Sequence, residues 1–439
     1  MEEARFEAVL SLYSEGGLEM LLDMASRVER PEEVGAALGR SAILSDDEDD
    51  DLIGRTLASS ENSLNAFARG FVIGRWRTRD LKWAEAKLFG EAGAGWSYEQ
   101  RAEFYTCLPF LSRTWDQVET ESDETQRLYW ARTSYGYPEG ADCERAVAKL
   151  IEHDRPYAAV EILSFQERRH NSTPSARVII EAIECALRAT SDVRADWQFI
   201  AHNISELLNV LEGSGEVSDE QLAALEWSSL PLTEHYRSPK MLHRELSRNP
   251  DFFVEVMTLV YKAEDEEARD LSEEDGARAK YGRKLLDSWH NVPGKGDDGS
   301  LDGAVLKDWI TRAREVLGAG GRSGIGDYSI GRILRYSPND ADGIWPHSAV
   351  CDLIEELANE SVERGFETEV FNSRGVTMRG QTDGGAQERQ LAESYLERAR
   401  RVCDRSPRTA GMLRRIADTF SSQARREDVN AELTEDLWR

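Results

Sequence analysis

The sequence is poor in cysteine, and none of its five cysteines belongs to a CxxC pair. They are Cys107, Cys143, Cys185, Cys351 and Cys403, and they lie far apart in the chain. Zinc ribbons and thioredoxin-like redox sites need closely spaced pairs, so neither class is expected. Isolated cysteines usually serve as small buried apolar residues. We therefore expect neither a metal nor a cofactor.

Long apolar runs are also missing. No stretch approaches the roughly 20 apolar residues that a membrane-spanning helix needs. The first ten residues, MEEARFEAVL, lack the basic and apolar regions of a secretory signal peptide. These absences predict a cytoplasmic protein without a membrane partner, in a compartment that keeps thiols reduced.

The common catalytic motifs do not occur. The seven histidines form no HExxH pair, and no GxSxG elbow is present, so zinc hydrolases and α/β-hydrolases have no support. The glycine-rich segment 318–326 has no GK[ST] and follows a predicted helix, whereas phosphate-binding glycine loops follow a strand. The sequence therefore predicts a protein that is not an enzyme.

Positive charge is scarce relative to negative charge. Lysine and arginine number 54 against 82 acidic residues, which gives a net charge of −28. A surface of this sign repels phosphate backbones, so we expect no nucleic-acid partner. Charged residues make up 31% of the chain, above the roughly 25% typical of globular domains. The excess suggests a large solvated surface, as in an elongated helical repeat.

What the sequence does contain is helical periodicity, shown most clearly by residues 142–187. Three sets of apolar residues recur there at three- or four-residue spacing: Ala146, Val147, Leu150 and Ile151, then Ala159, Ile162 and Leu163, then Ile179, Ile183, Ala186 and Leu187. This spacing predicts three short amphipathic helices. None could bury its apolar stripe alone, so we expect them to stack as a helical-repeat layer.

Similar patterns through the chain predict an all-α fold, organised as a degenerate HEAT- or tetratricopeptide-like α-solenoid. At most one small β-hairpin is expected near 367–379, formed by Val370-Phe371 and Val376 to Met378. The turn-rich segment PGKGDDGS at 293–300 suggests a domain boundary. It would separate a helical-repeat region at 1–292 from a C-terminal helical domain at 301–439.

Two helix starts recur in close copy, at Ser238-Pro239 and Asn249-Pro250. Ser or Asn at the cap with Pro at the first helical position favours a helix start. The second start opens a wide apolar stripe: Phe252, Phe253, Val256, Met257 and Val260. The width predicts a central helix packed on both sides. The alternative is an end helix whose exposed side is a binding patch.

One segment is a candidate anion site. Between Asn372 and Arg389, three arginines (Arg374, Arg379 and Arg389) lie near a predicted helix N-terminus, a combination that can bind anions. Two simpler interpretations stay open, because Asp383 could cap the helix and the arginines could pair with nearby acids. An anion- or nucleotide-binding module centred on 372–389 is therefore one functional hypothesis.

Several stretches of the chain look like a known group of proteins. Among them are EMLLDMASRVERPEEVGAALG, LIEHDRPYAAVEIL, PKMLHRELSRNPDFFVEVMTLVYK and DGIWPHSAVCDLIEEL. They resemble the C-terminal helical-repeat region of very large, poorly characterised bacterial proteins, some associated with anti-phage defence. The resemblance implies a sensing or regulatory role and a chain that could be a fragment of a larger protein. The other functional hypothesis is thus a non-catalytic protein-interaction module, whose partner could be a phage or defence-system protein.

Overall fold

The computed structural model describes residues 2–41, 43–170, 174–189, 196–266, 272–375, 380 and 384–437. The chain divides into two compact units, Met1–Ser218 and Asp219–Arg439. Within the described residues the regular elements are all helices, apart from an isolated antiparallel bridge between Lys295 and Leu301. The predicted all-α fold is confirmed.

The first unit contains twelve helices in its described part. They are α1 (Glu2–Ala25), α2 (Pro31–Arg40), α3 (Asp46–Thr56), α4 (Asn62–Phe89), α5 (Glu91–Ala94), α6 (Tyr98–Thr106), α7 (Ser112–Val118), α8 (Asp123–Arg132), α9 (Ala141–Glu152), α10 (Pro156–His170), α11 (Ala176–Arg188) and α12 (Trp197–Ser214). The three helices predicted from residues 142–187 correspond to α9, α10 and α11. Helix α10 packs against α9, α11 and α12, so the apolar stripes bury one another as expected.

The second unit contains ten helices in its described part. They are α13 (Asp219–Thr233), α14 (Lys240–Arg248), α15 (Pro250–Val260), α16 (Glu273–Ser288), α17 (Gly303–Ala319), α18 (Ser323–Leu334), α19 (Ser348–Leu357), α20 (Glu360–Asn372), α21 (Ala386–Val402) and α22 (Pro407–Leu437). The predicted boundary segment 293–300 lies inside this unit, between α16 and α17. It forms a turn, in which the Gly296 N–H donates to the Ser300 carbonyl at 2.9 Å.

The prediction of a first hairpin strand at Val370-Phe371 is wrong. Val370 and Phe371 belong to α20, while Val376 to Met378 lie outside the described residues. The helix prevails because Val362, Phe366 and Val370 recur every four residues and are all buried along one face of α20. A two-residue β-rich stretch is too short to override that period.

The two Pro-containing helix starts differ from each other. At the first, Pro239 itself is the N-cap of α14 and Ser238 precedes it, so the predicted serine cap is wrong. At the second, the side chain of Asn249 accepts hydrogen bonds from the backbone N–H groups of Asp251 and Phe252 at 3.1 and 3.3 Å. The predicted start of α15 is therefore confirmed.

Glycines allow two pairs of helices to pack at backbone distance. A methyl group on Gly70 of α4 would lie 2.0 Å from the carbonyl oxygen of Glu32 in α2. In the second unit, a methyl group on Gly331 of α18 would lie 1.9 Å from the carbonyl oxygen of Val362 in α20. Neither contact leaves room for a Cβ atom, so the glycines set how closely these helices approach.

Substituting Gly331→Ala should lower the free energy of unfolding by about 1–3 kcal/mol, because the added methyl forces α18 and α20 apart. Gly276→Ala in α16 is the matched control, since a Cβ there meets nothing within 4 Å. That change should be neutral or stabilising by up to about 1 kcal/mol, as for alanine replacing glycine inside a helix. Urea unfolding measures both, and equal shifts of the two midpoints would contradict the packing argument.

Candidate functional site

An apolar groove of about 530 Å³ lies in the second unit, between helices α13, α14, α15 and α16. Its apolar lining consists of Ala223, Ala224, Trp227, Leu242, Phe252, Val256 and Leu259. A concave, mostly apolar surface of this size with a few polar groups is the usual form of a binding site. The groove is therefore the strongest candidate functional site in the described part of the chain.

Helix α15 lies between the groove and the core of this unit. One side of its apolar stripe faces the core, and the other side faces the groove. On one face, Phe253 packs between Trp289 and Trp309, with ring centroids at 5.6 and 5.0 Å. Val256 and Met257 are buried beside it. Helices α14, α16 and α17 all pack against α15, so this face is covered.

The other face of α15 forms part of the groove. Phe252 and Leu259 are only half-buried, and Phe252 meets the half-buried Trp227 of α13 edge to face, with ring centroids at 6.4 Å. This face is therefore only partly covered, so the prediction of a helix packed on both sides is met on one face alone. Part of the apolar stripe of α15 therefore packs in the core, and part of it lines the groove.

The rim of the groove is acidic. Glu220, Glu245 and Glu255 line it together with one cation, Arg278. Glu245 accepts a hydrogen bond from the side-chain amide of Asn249 at 2.8 Å. Glu220, Glu255 and Arg278 make no ion pair with any residue that the structure describes. Among the described residues, the rim thus carries an excess of negative charge that no ion pair neutralises.

Sequence reasoning found the α15 stripe but missed the opposite wall. Ala223, Ala224 and Trp227 belong to α13, some 25 residues earlier in the chain, and nothing in the sequence pairs the two helices. The available signal was the width of the stripe, which exceeded what one neighbour covers. It indicated that a second surface should lie opposite α15 without identifying it.

The two described arginines of the candidate anion site are paired with acidic side chains. Arg374 pairs with Glu388 at 2.6 Å, and Arg389 pairs with Asp428 at 2.5 Å. Arg379 lies outside the described residues. The structure therefore brings the two described arginines to the start of α21, where each already contacts a carboxylate of its own unit.

The N-terminus of α21 is also occupied. The Gly385 N–H donates to Asp428 Oδ1 at 2.8 Å. This hydrogen bond and the Arg389 guanidinium lower the pKa of the Asp428 carboxyl. Asp428 thus takes the position that a bound anion would have on the helix N-terminus. Anion binding at Arg374, Arg379 and Arg389 stays a prediction.

A serine–histidine contact is the other candidate for chemistry. His243 Nε2 lies 2.9 Å from Ser288 Oγ, which joins α14 to α16, and Ser288 lines a separate cavity of about 620 Å³. Ser288 Oγ also donates to the Leu285 carbonyl at 3.1 Å. Burial, with a smaller effect of His290, lowers the pKa of His243 to about 4. An imidazole that gains a proton only near pH 4 is a weak general base at neutral pH, so the contact serves as a tether between helices.

The burial of His243 predicts a specific pH dependence of stability. Because the pKa of His243 is about 4 in the folded state and about 6.5 unfolded, only the unfolded state gains this proton between those values. Its contribution is therefore constant well above pH 6.5 and falls by about 2–3 kcal/mol on acidification to pH 4.5. Denaturant unfolding of the wild type and of His243→Gln at pH 7 and pH 4.5 isolates this effect. Equal losses of stability between pH 7 and pH 4.5 in the two proteins would contradict the role assigned to His243.

No protein-family model, curated protein or solved structure matches this chain. In the part of the chain that the structure describes, no three His, Cys, Asp or Glu residues are grouped as metal ligands would be. None of the helices searched there is long and apolar enough to cross a membrane. The binding site proposed for the chain therefore depends on the arrangement of its own side chains.

Proposed function

We propose that this chain is a non-catalytic helical-repeat module that binds another protein through the groove of α13–α16. The observation that carries the proposal is the half-buried pair Trp227 and Phe252 in an apolar groove with a polar rim. Apolar surfaces bordered by polar residues mark protein-interaction sites. Tryptophan and other large anchors in such depressions supply most of the binding energy at many interfaces.

Affinity capture with a groove variant tests this proposal. Phe252→Glu places a charge on the floor of the groove, while Phe253 and the buried face of α15 are unchanged. Val305→Glu is the matched control, since Val305 is an apolar residue of the same unit with 49% exposure and is not part of the groove. We expect the wild type and Val305→Glu to capture the same protein and Phe252→Glu to lose it. Equal capture by all three proteins, or capture of none, would refute the proposal.

The anion-binding hypothesis is tested by thermal shift against nucleotides and inorganic phosphate. A ligand at about a hundred times its dissociation constant adds about 2.7 kcal/mol of stability. Because Arg374 and Arg389 already contact carboxylates, we expect none of these ligands to raise the melting temperature. A shift that Arg374→Gln abolishes would instead favour the anion-binding module.

For the cellular role, we propose a cytoplasmic sensing or regulatory component of a bacterial defence assembly. The support is the resemblance of several stretches to large bacterial proteins associated with anti-phage defence. Capture from a bacterial host with and without phage challenge tests this role. Recovery of a phage or defence-system protein only after challenge is expected, and the same partners under both conditions would count against it.

A further inference from the structure

We propose that the occupant of the groove is a short, basic, amphipathic helix of the partner protein. This inference rests on the proposed function and adds the secondary structure and charge of the bound segment. Two properties of the groove support it: the spacing of its apolar side chains along α15 and the charge of its rim.

The spacing fits a helix. Phe252, Val256 and Leu259 stand at positions i, i+4 and i+7 of α15, which extends the apolar floor over about 10 Å, or two helical turns. On the opposite wall, the small side chains of Ala223 and Ala224 leave space beside Trp227. An amphipathic helix binds such a groove with anchors at i, i+3 or i+4, and i+7.

The backbone of the groove favours the same conformation. Its described walls are helices, which satisfy their backbone hydrogen bonds internally and offer no sheet edge. An extended peptide would therefore leave its own N–H and C=O groups without protein partners in the groove. A helical peptide satisfies those groups within itself and needs only side-chain contacts.

The charge of the rim selects a basic segment. Along this rim Glu220, Glu245 and Glu255 outnumber the single cation, Arg278. Lysines or arginines flanking the apolar anchors would meet these carboxylates, whereas an acidic peptide or anionic amphiphile would be repelled. The −28 net charge of the chain acts in the same direction.

The acidic rim also disfavours the exposed apolar residues of a second copy as the occupant. Val429 and Leu433 in the last turns of α22 are 53% and 58% exposed and could in principle enter an apolar groove. However, Glu427 and Glu432 accompany them on that helix. Their charge has the same sign as the rim, so association of two copies through these surfaces is opposed.

The test uses two synthetic helical peptides of about 18 residues, long enough to form a helix on binding. Both carry leucines at i, i+4 and i+7. One peptide has lysines at its charged positions, and the other peptide has glutamates at the same positions. Fluorescence anisotropy measures their dissociation constants for the full chain at low and physiological salt. We expect the basic peptide to bind at least about tenfold more tightly than the acidic one, a difference of about 1.4 kcal/mol.

Variants separate binding in the groove from general charge attraction. Phe252→Glu, and independently Ala224→Trp, which fills the groove without adding charge, should each weaken the basic peptide by at least about tenfold. The rim double variant Glu220→Lys/Glu255→Lys should weaken it by a similar factor. Its matched control is Glu393→Lys/Asp418→Lys, which makes the same charge change at exposed positions of the same unit away from the groove. The control should change binding less than about twofold.

Three outcomes would overturn the inference: binding of neither peptide, equal binding of both, or equal losses in the rim and control variants. These results are distinguishable from failure of the proposed function. A partner captured in a Phe252-dependent manner through an acidic or extended segment refutes only the basic helix. Absence of any groove-dependent partner refutes the proposed function itself.

Discussion

Replacing Phe253 by alanine should lower the free energy of unfolding by about 3–5 kcal/mol, the range for a phenylalanine lost from a fully packed core. The side chain is completely buried and lies between the rings of Trp289 and Trp309. Both indoles are fixed by hydrogen bonds, Trp289 to Ser247 Oγ at 2.9 Å and Trp309 to the Leu246 carbonyl at 3.1 Å. The surrounding core therefore cannot collapse easily into the cavity, which places the loss toward the upper end.

The adjacent residue provides the control for this prediction. Phe252→Ala removes the same number of atoms from the same helix, but from the half-buried groove face. Its effect should be about 1 kcal/mol or less, as at other lightly packed positions. Denaturant unfolding followed by circular dichroism compares the two variants. A loss below about 1 kcal/mol for Phe253→Ala would show that α15 is not a central helix of this unit.

The second large effect is expected at a buried ion pair in the first unit. Arg75 of α4 and Asp49 of α3 are almost completely buried, and two guanidinium nitrogens contact the carboxylate at 2.5 and 2.9 Å. The same guanidinium donates to the carbonyl of Ser41 and, at 3.2 Å, to that of Leu44. One side chain thus fixes the connection between α2 and α3 as well as the packing of α3 on α4.

Arg75→Met should therefore lower the free energy of unfolding by about 3–5 kcal/mol, because it leaves a buried carboxylate and the carbonyls of Gly39, Ser41 and Leu44 without this donor. Burial already raises the pKa of the Asp49 carboxyl, and Arg75 opposes that rise. Adding Asp49→Leu to Arg75→Met should restore part of the loss, since it removes the unpaired charge.

Arg79→Met is the matched control, one turn further along α4. Arg79 pairs with Asp46 at 2.7 Å, but both side chains are exposed. Solvent-exposed ion pairs contribute about 0–1 kcal/mol, so the control should have little effect. Chemical denaturation measures the series. Equal losses for Arg75→Met and Arg79→Met would contradict the role assigned to burial.

Local features of the sequence determined most of the secondary structure. The three- and four-residue apolar spacing of residues 142–187 specifies α9, α10 and α11, because a helix buries one face every 3.6 residues. Asn249-Pro250 specifies where α15 begins, because an asparagine cap and a proline at the first position act within a few residues. The pattern was less reliable where two interpretations competed, as at Val370-Phe371.

The tertiary structure decided which of these helices meet and what remains exposed. Asp49 and Arg75 lie 26 residues apart, and no local pattern distinguishes them from the other charged residues that flank them. Phe252 and Phe253 are identical neighbours in the sequence, yet one lines the groove and the other is buried. A periodic stripe specifies which face of a helix is apolar, but only the packing of α14, α16 and α17 around α15 determines how much of that face is covered.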